Sequence, residues 1–342
     1  DPSRFSVGPR LWGQLNLYLV RLSEGVTEED GITLLNAHPA VLYAQLDHRL
    51  SPRNAVTITP DDAYFGQQWN MGLIQATEAW SVGVGSQGTD APVVAVVDYG
   101  FDLDHVDLES NYWVNPLEVP GNGVDDDGNG YVDDVNGWNA SNNTGNVGQD
   151  SHGTFCAGII GALGNNGVGV AGINWQSQIM VVQLGNTSTS EIVIAYGYIA
   201  DQKALWLEDG TRGANVVSTN SSFGYEDTQC SSSDFPVWDD MYDAMGAVGI
   251  LSAAATANQP DNIDVEGDVP TSCESDYLIT VTNTNANDQL SYAGYGTETI
   301  DLSAPGESVW STEPNDDYGS GSGTSFATPH VAGAVALMFS NA

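Results

Sequence analysis

The sequence predicts an α/β fold, with a doubly wound, mostly parallel sheet carrying helices on both faces, preceded by a small α+β unit. Three observations predict it. Pro92-Val93-Val94-Ala95-Val96-Val97 is a continuous, β-branched run of the kind found in strands buried on both faces. Strand-like and helix-like segments then alternate along the rest of the chain. The first 53 residues differ from the remainder in charge and carry short strand and helix patterns of their own.

Taken in order, Leu15–Leu22 mostly alternates and reads as a strand. Residues 28–37 read as a short helix with Thr27 as its cap, and Val41–Leu46 as a second strand, making a small β-α-β unit. Ser51 to Asp62, with Pro52 and Pro60, reads as a linker, and Ala76 to Trp80 as a short helix. The buried run ends at Asp98, followed by Gly100. Carboxyl ends of parallel strands are where such folds place ligands, although an aspartate there can also cap a turn. A small-residue helix opens around His152. Strands are expected at Gln178–Leu184, Ala214–Thr219, Val248–Ala255, Tyr277–Thr282 and Thr299–Ser303, with a helix at Ser190–Ala204. The last element is an apolar helix entered through Gly323-Thr324-Ser325.

Charge narrows the function classes. The chain of 342 residues holds seven Lys+Arg against 45 Asp+Glu, a net charge of −38. The first 53 residues net −1 and the rest −37, a composition break that marks a candidate boundary. So acidic a surface repels nucleic acid and anionic membranes, and no run of 18 apolar residues is present to span a bilayer. Protein or peptide substrates remain open, and a monomer is expected. The three cysteines allow one disulfide. Cys230 and Cys273 lie in polar, loop-like sequence and are expected to pair, which implies an oxidising compartment, whereas Cys156 sits in the small-residue helix.

Residues 121–137 carry an acidic, glycine-rich pattern. Asp125, Asp127 and Asn129 alternate, Gly130 takes the sixth place and Tyr131 can offer its carbonyl from the seventh. This matches the first half of an EF-hand-type calcium loop. Asn136 stands where that loop has a bidentate Glu, with Asp133 and Asp134 nearby. A structural Ca²⁺ is expected here, the alternative being a solvated acidic turn.

Asp98, His152 and Ser325 each have an ordinary explanation alone, as a turn cap, a structural histidine and a helix cap. Together they supply a weak nucleophile, a base to take its proton and a carboxylate to orient that base. Val96-Val97-Asp98-Tyr99-Gly100, Ser151-His152-Gly153-Thr154 and Gly323-Thr324-Ser325-Phe326-Ala327-Thr328-Pro329-His330-Val331-Ala332-Gly333 resemble the Asp, His and Ser motifs of the subtilisin-like serine proteases (subtilases, peptidase family S8). Tyr99 replaces the usual Thr or Ser. The resemblance runs over residues 61–342 and implies a subtilisin-like fold and a secreted serine endopeptidase. It implies an oxyanion asparagine, assigned to Asn258, where Thr256-Ala257 replaces the family's Ala-Gly. It places substrate along Leu184-Gly185-Asn186 and Ser222-Phe223-Gly224 by strand addition. The sequence gives only a lean to apolar side chains there, and because no acid lies in Ser222–Gly224, a basic-residue preference of the proprotein-convertase kind is not indicated. Cys156, four residues after His152 on one helical face, is similar to the cysteine of the proteinase-K-like branch.

Residues 1–58 resemble the carboxyl portion of a subtilase propeptide, and 59–342 the catalytic domain. The resemblance implies that the N-terminal segment occupies the active-site cleft as an inhibitor, so that the chain is a zymogen or a cleaved complex. Two other readings stay open: a catalytically silent calcium-dependent binding protein on the same fold, and a serine-carboxyl (sedolisin-like) peptidase. The second has Glu where His152 stands.

Overall fold

The structure is a computed structural model describing residues 4–12, 15–47, 56–230 and 235–341. The chain divides into two compact units, residues 1–55 and 56–342.

In the first unit β1 (Phe5–Trp12) pairs antiparallel with β2 (Leu17–Leu22), and α1 (Glu28–Asn36) follows. Thr27 caps α1 by accepting from the Asp30 N–H at 3.1 Å, and Glu28, Glu29 and Asp30 favour the positive helix end. The expected strand at Val41–Leu46 is absent. Asn36 takes the groups such a strand would present, since its amide accepts from Ala44 N at 2.6 Å and donates to Ala44 O at 3.4 Å. The unit is therefore a hairpin followed by a helix.

The second unit opens with α2 (Trp69–Leu73) and α3 (Ala76–Ala79), followed by β3 (Val93–Asp98), β4 (Gly137–Asn139), α4 (Ser151–Gly161) and β5 (Gln178–Gln183). After these come α5 (Thr189–Asp209), β6 (Val216–Ser221), β7 (Tyr225–Glu226), α6 (Pro236–Ala247), β8 (Leu251–Ala255), α7 (Ile263–Glu266) and β9 (Asp268–Val269). The chain closes through β10 (Leu278–Thr284), β11 (Leu302–Pro305), the hairpin β12 (Val309–Glu313) and β13 (Asp317–Gly321), and α8 (Thr324–Ser340).

The main sheet runs β11-β10-β8-β6-β3-β5-β4, and every pairing in it is parallel. It is a doubly wound α/β sheet of the kind the sequence predicts. Strand β3 lies at its centre, and its residues alternate between the two layers because the side-chain period of a strand is two. Val93, Ala95 and Val97 join the core under α5 and α6 with Tyr196, Tyr198, Trp238 and Tyr242. Val94 and Val96 join the core under α4 and α8 with Cys156, Ile160, Ala327 and Ala332. Each buried valine stabilises the fold by about 1.5–3 kcal/mol. Parity then decides where Asp98 points. It shares the face of Val94 and Val96, the face covered by α4 and α8.

Candidate active site

Asp98 ends β3 at the carboxyl edge of the sheet and is buried. The chain winds from β3 to β5 on one side and to β6 on the other, so a crevice opens at this edge. His152 lies in the first turn of α4. Asp150 caps that helix by accepting from the His152 N–H at 2.8 Å, which fixes the backbone of the histidine. The approach of α4 to β3 is close: a Cβ on Gly153 would meet Gly100 O at 2.2 Å and Asp98 Cβ at 3.1 Å. With glycine there, His152 Nδ1 reaches both Asp98 oxygens, at 2.8 and 2.9 Å. Burial alone would lower the imidazole pKa. The Asp98 hydrogen bond and charge, with Asp150, outweigh it and raise the pKa above its ordinary value.

Ser325 stands in the first turn of α8. Pro329 has no N–H to give the carbonyl four residues back, which is that of Ser325. The Ser222 hydroxyl fills the vacancy, donating to Ser325 O at 2.8 Å, and the Cys156 thiol approaches the same oxygen at 3.5 Å. The proline thus ties the serine turn to the end of β6. The Ser325 hydroxyl itself donates only a long 3.4 Å bond to Ser222 O. Phe326 sets its ring 5.6 Å from that of His152. The other histidine of this stretch, His330, is buried with a pKa pushed down to about 4, chiefly by desolvation.

Asn258 follows β8. Its amide oxygen accepts from Thr324 N at 2.8 Å and from Thr324 Oγ1 at 3.0 Å, which turns the amide NH₂ away from Thr324. Gly323 has φ +152°, and a Cβ there would lie 3.2 Å from Asn258 Oδ1. Thr324 had no role in the sequence reading and has one here. It orients Asn258 and bonds Thr256 O at 2.6 Å, fixing the start of α8 to the end of β8.

One cleft beside Ser325 is lined by Ser222, Phe223 and Gly224 and by residues 255–258. Leu184–Asn186 is not part of this lining. Leu184 bonds back to Asp98 O at 2.7 Å, while the Gly185 and Asn186 N–H groups both go to the Glu191 carboxylate, at 2.5 and 2.9 Å. Cys156 is fully buried and its pKa lies well above the ordinary thiol value, from burial and then the charge of Asp98. Its thiol stays protonated beneath the histidine.

Cys230 and Cys273 form a disulfide. In the acidic loop, Asp125 and Asp127 converge with Glu118, their oxygens lying within 4.8 Å of one another. Glu118 precedes the alternating pattern by seven residues and gave no periodic signal. Asn129 bonds Asp127 and Asp134 through its amide, at 3.2 and 3.1 Å. Tyr131 donates its hydroxyl to Asp201 at 2.7 Å and its N–H to Asn129. Asp134 is buried with a pKa pushed up to about 7 by desolvation, against hydrogen bonds from Tyr198, Asn129 and Asn115. Two expected ligands face elsewhere. Asp133 accepts from Asn122 N and Gly123 N, and Asn136 donates to Trp113 O at 3.0 Å.

The model of the Subtilase family matches residues 89–342. An extracellular protease of Xanthomonas campestris is 31% identical over 98% of this chain and 57% of its own length. Thermitase of Thermoactinomyces vulgaris is 29% identical over 82% of this chain and 86% of its own. Subtilisin-like protease 1 of Plasmodium falciparum is 29% identical over 82% of this chain and 42% of its own. The chain spans about half the length of most of the first relatives it matches. A solved protease from Pseudoalteromonas arctica shares the fold, with a TM-score of 0.62 and 24% identity over 82% of this chain and 87% of that one.

Proposed function

The chain belongs to the subtilase family, and from that membership we propose that it is a secreted, calcium-stabilised serine endopeptidase. The observation that carries the proposal is the grip of both Asp98 oxygens on His152 Nδ1, on the sheet face covered by α8, whose first turn holds Ser325. In this reading Ser325 Oγ attacks the scissile carbonyl. His152 takes the hydroxyl proton at Nε2 and returns it to the leaving amine, while Asp98 holds the tautomer that leaves Nε2 free. The Ser325 N–H at the start of α8 and the Asn258 NH₂ hold the oxyanion, and collapse of the tetrahedral species leaves an acyl-enzyme that water hydrolyses. A histidine gripped by an aspartate also favours this reading over a serine-carboxyl peptidase.

Asn258→Ala is expected to lower kcat by about 10²–10³-fold with little change in KM, because the lost donor acts on charge that exists only in the transition state. Steady-state kinetics on a peptide substrate check it, and an equal rise in KM at constant kcat would remove Asn258 from the oxyanion site.

The carboxylates of Glu118, Asp125 and Asp127 supply the hard oxygen donors that Ca²⁺ prefers, and the buried Asp134, whose pKa burial pushes up to about 7, would ionise more readily beside a cation. These residues would hold the ion and stiffen the loop. An ion held at 100 times its Kd stabilises by about 2.7 kcal/mol. Chelation is therefore expected to lower Tm by several degrees, restored by excess Ca²⁺ and read by calorimetry. An unchanged Tm would count against the site.

Secretion is supported by the disulfide and by relatives named as extracellular proteases. No helix among the described residues is long and apolar enough to cross a membrane. Residues 1–58 are proposed to act as a propeptide-like inhibitor of the catalytic domain, 59–342. The match to the Xanthomonas protease, which runs across nearly the whole chain, supports reading the two segments together.

A further inference from the structure

Resting on the endopeptidase reading, we propose that Asp268 and Glu226 make the cleft beside Ser325 a pocket for a basic side chain, so that cleavage follows Lys or Arg in the substrate. The short antiparallel ladder of β7 and β9 brings the two acids together, with Glu226 directly opposite Asp268. Both line the same cleft as Ser222–Gly224 and Ser325. Like charges directly opposite each other across a ladder are destabilising, so the pair gains from a cation between or beside them.

Asp268 is 1% exposed, yet its Oδ1 has no hydrogen-bond partner. Its Oδ2 accepts from the Thr271 hydroxyl. A buried carboxylate oxygen without a donor is costly, and such groups ordinarily find one. The oxygen faces the pocket wall: a Cβ on Gly224 would lie 3.2 Å from Asp268 Oδ1. Position 224 carries no side chain, so only the Gly224 backbone stands beside that buried oxygen on this side. Glu226 is exposed and stands at the rim. The arrangement is an acid at the inner wall and an acid at the mouth, with Phe223, Ala255 and Ala257 giving apolar contact between them and Ser222, Thr256 and Asn258 adding polar groups. A lysine or arginine suits this geometry, since its alkyl stem packs on apolar surface and its charged head finds acceptors. Burial, with the charge of Glu226, pushes the Asp268 pKa up to about 6 against the lowering effect of Thr271, Thr256 and the Ala257 N–H beside the carboxylate, so it is ionised at pH 8.

The segment Ser222–Gly224 by itself carries no acid. The charge of this pocket comes instead from two residues 42 positions apart, joined by a ladder of two residue pairs. A resident metal ion is the less suited occupant. Metal-ready clusters of three or more donors occur elsewhere among the described residues, and neither Asp268 nor Glu226 belongs to one.

The test is hydrolysis of matched tetrapeptide anilides ending in Arg, Lys, Leu or Phe, at pH 8 with Ca²⁺ present, by the full chain and by Asp268→Asn. The wild type is expected to favour Arg or Lys over Leu by at least tenfold in kcat/KM. Asp268→Asn is expected to lower that ratio at least tenfold. The wild-type ratio needs no variant, so it decides the matter even if Asp268→Asn does not fold. Preference for Leu or Phe, or a ratio that survives the substitution, would overturn the pocket assignment. Labelling of Ser325 by a fluorophosphonate, run alongside, separates the two levels. With labelling, the specificity proposal alone has failed. With no labelling and no hydrolysis of any peptide, even after limited proteolysis has removed the N-terminal segment, the endopeptidase reading has failed and this inference falls with it.

Discussion

Ser325→Ala is expected to reduce peptide hydrolysis by about 10⁶-fold, a magnitude known for subtilisin rather than one this geometry yields. The reason lies in how the serine is mounted. Its backbone is fixed from three sides, by Ser222 on its carbonyl, by Thr324 tied to Asn258 and Thr256, and by the helix that follows. Its side chain is held only by a 3.4 Å bond to Ser222 O. Removing the hydroxyl therefore deletes the nucleophile while leaving the scaffold in place, and Tm should stay within a degree or two. Mass spectrometry of the wild type beside the variant reads a second consequence. Any cut between the N-terminal segment and the catalytic domain, expected between Arg53 and Asp62, should be absent from Ser325→Ala. Persistent hydrolysis by the variant would sink the catalytic assignment. A wild type freed of its N-terminal segment by limited proteolysis, yet still inert toward peptides and toward fluorophosphonate, would leave a silent binding protein on this fold.

What was legible in the sequence follows from where the signal was local. Strand β3 is buried on both faces, so its composition alone announced it, and its last residue was visible as a carboxylate at a strand end. Ser325 and His152 sit in glycine-flanked helix starts, where close packing forces small residues into the text itself. The expectation for Asn258 rested on resemblance alone, because the group that orients its amide is Thr324, 66 residues away. The disulfide followed from which cysteines lay in loop-like sequence.

The rest failed for one physical reason: the partner was remote or the pattern was broken. Strand β1 contains Gly8-Pro9 and pairs with shifts in register, so no clean alternation marks it. The expected strand at Val41–Leu46 had the composition but lost its backbone groups to Asn36. Glu118 reaches the acidic loop from outside its periodic part, while Asp133 and Asn136 sit inside that part and turn away. The segment Leu184–Asn186, expected to pair with substrate, follows β5, but Glu191 occupies two of the N–H groups that an added strand would use.

Asp98→Asn is expected to lower kcat by about 10⁴-fold at neutral pH, the second largest loss in the site. In the wild type, His152 Nδ1–H is shared between two carboxylate oxygens, which leaves Nε2 as the acceptor. An asparagine NH₂ in that position would donate to Nδ1 and put the ring proton on Nε2, the wrong nitrogen for accepting the serine proton. The pH profile separates this from a mere loss of fit. Catalysis needs neutral His152, and Asp98, by hydrogen bond and charge, is the main cause raising its pKa against the opposing effect of burial. Wild-type kcat/KM should therefore fall as pH drops through a value above about 6.5, the ordinary histidine pKa. With the carboxylate gone, burial prevails and the imidazole stays neutral to lower pH, so the acid limb of the variant's residual activity should move downward. A limb unmoved by the substitution would mean that a group other than His152 sets the acid dependence. Asp98 would then be no more than a structural end to its strand.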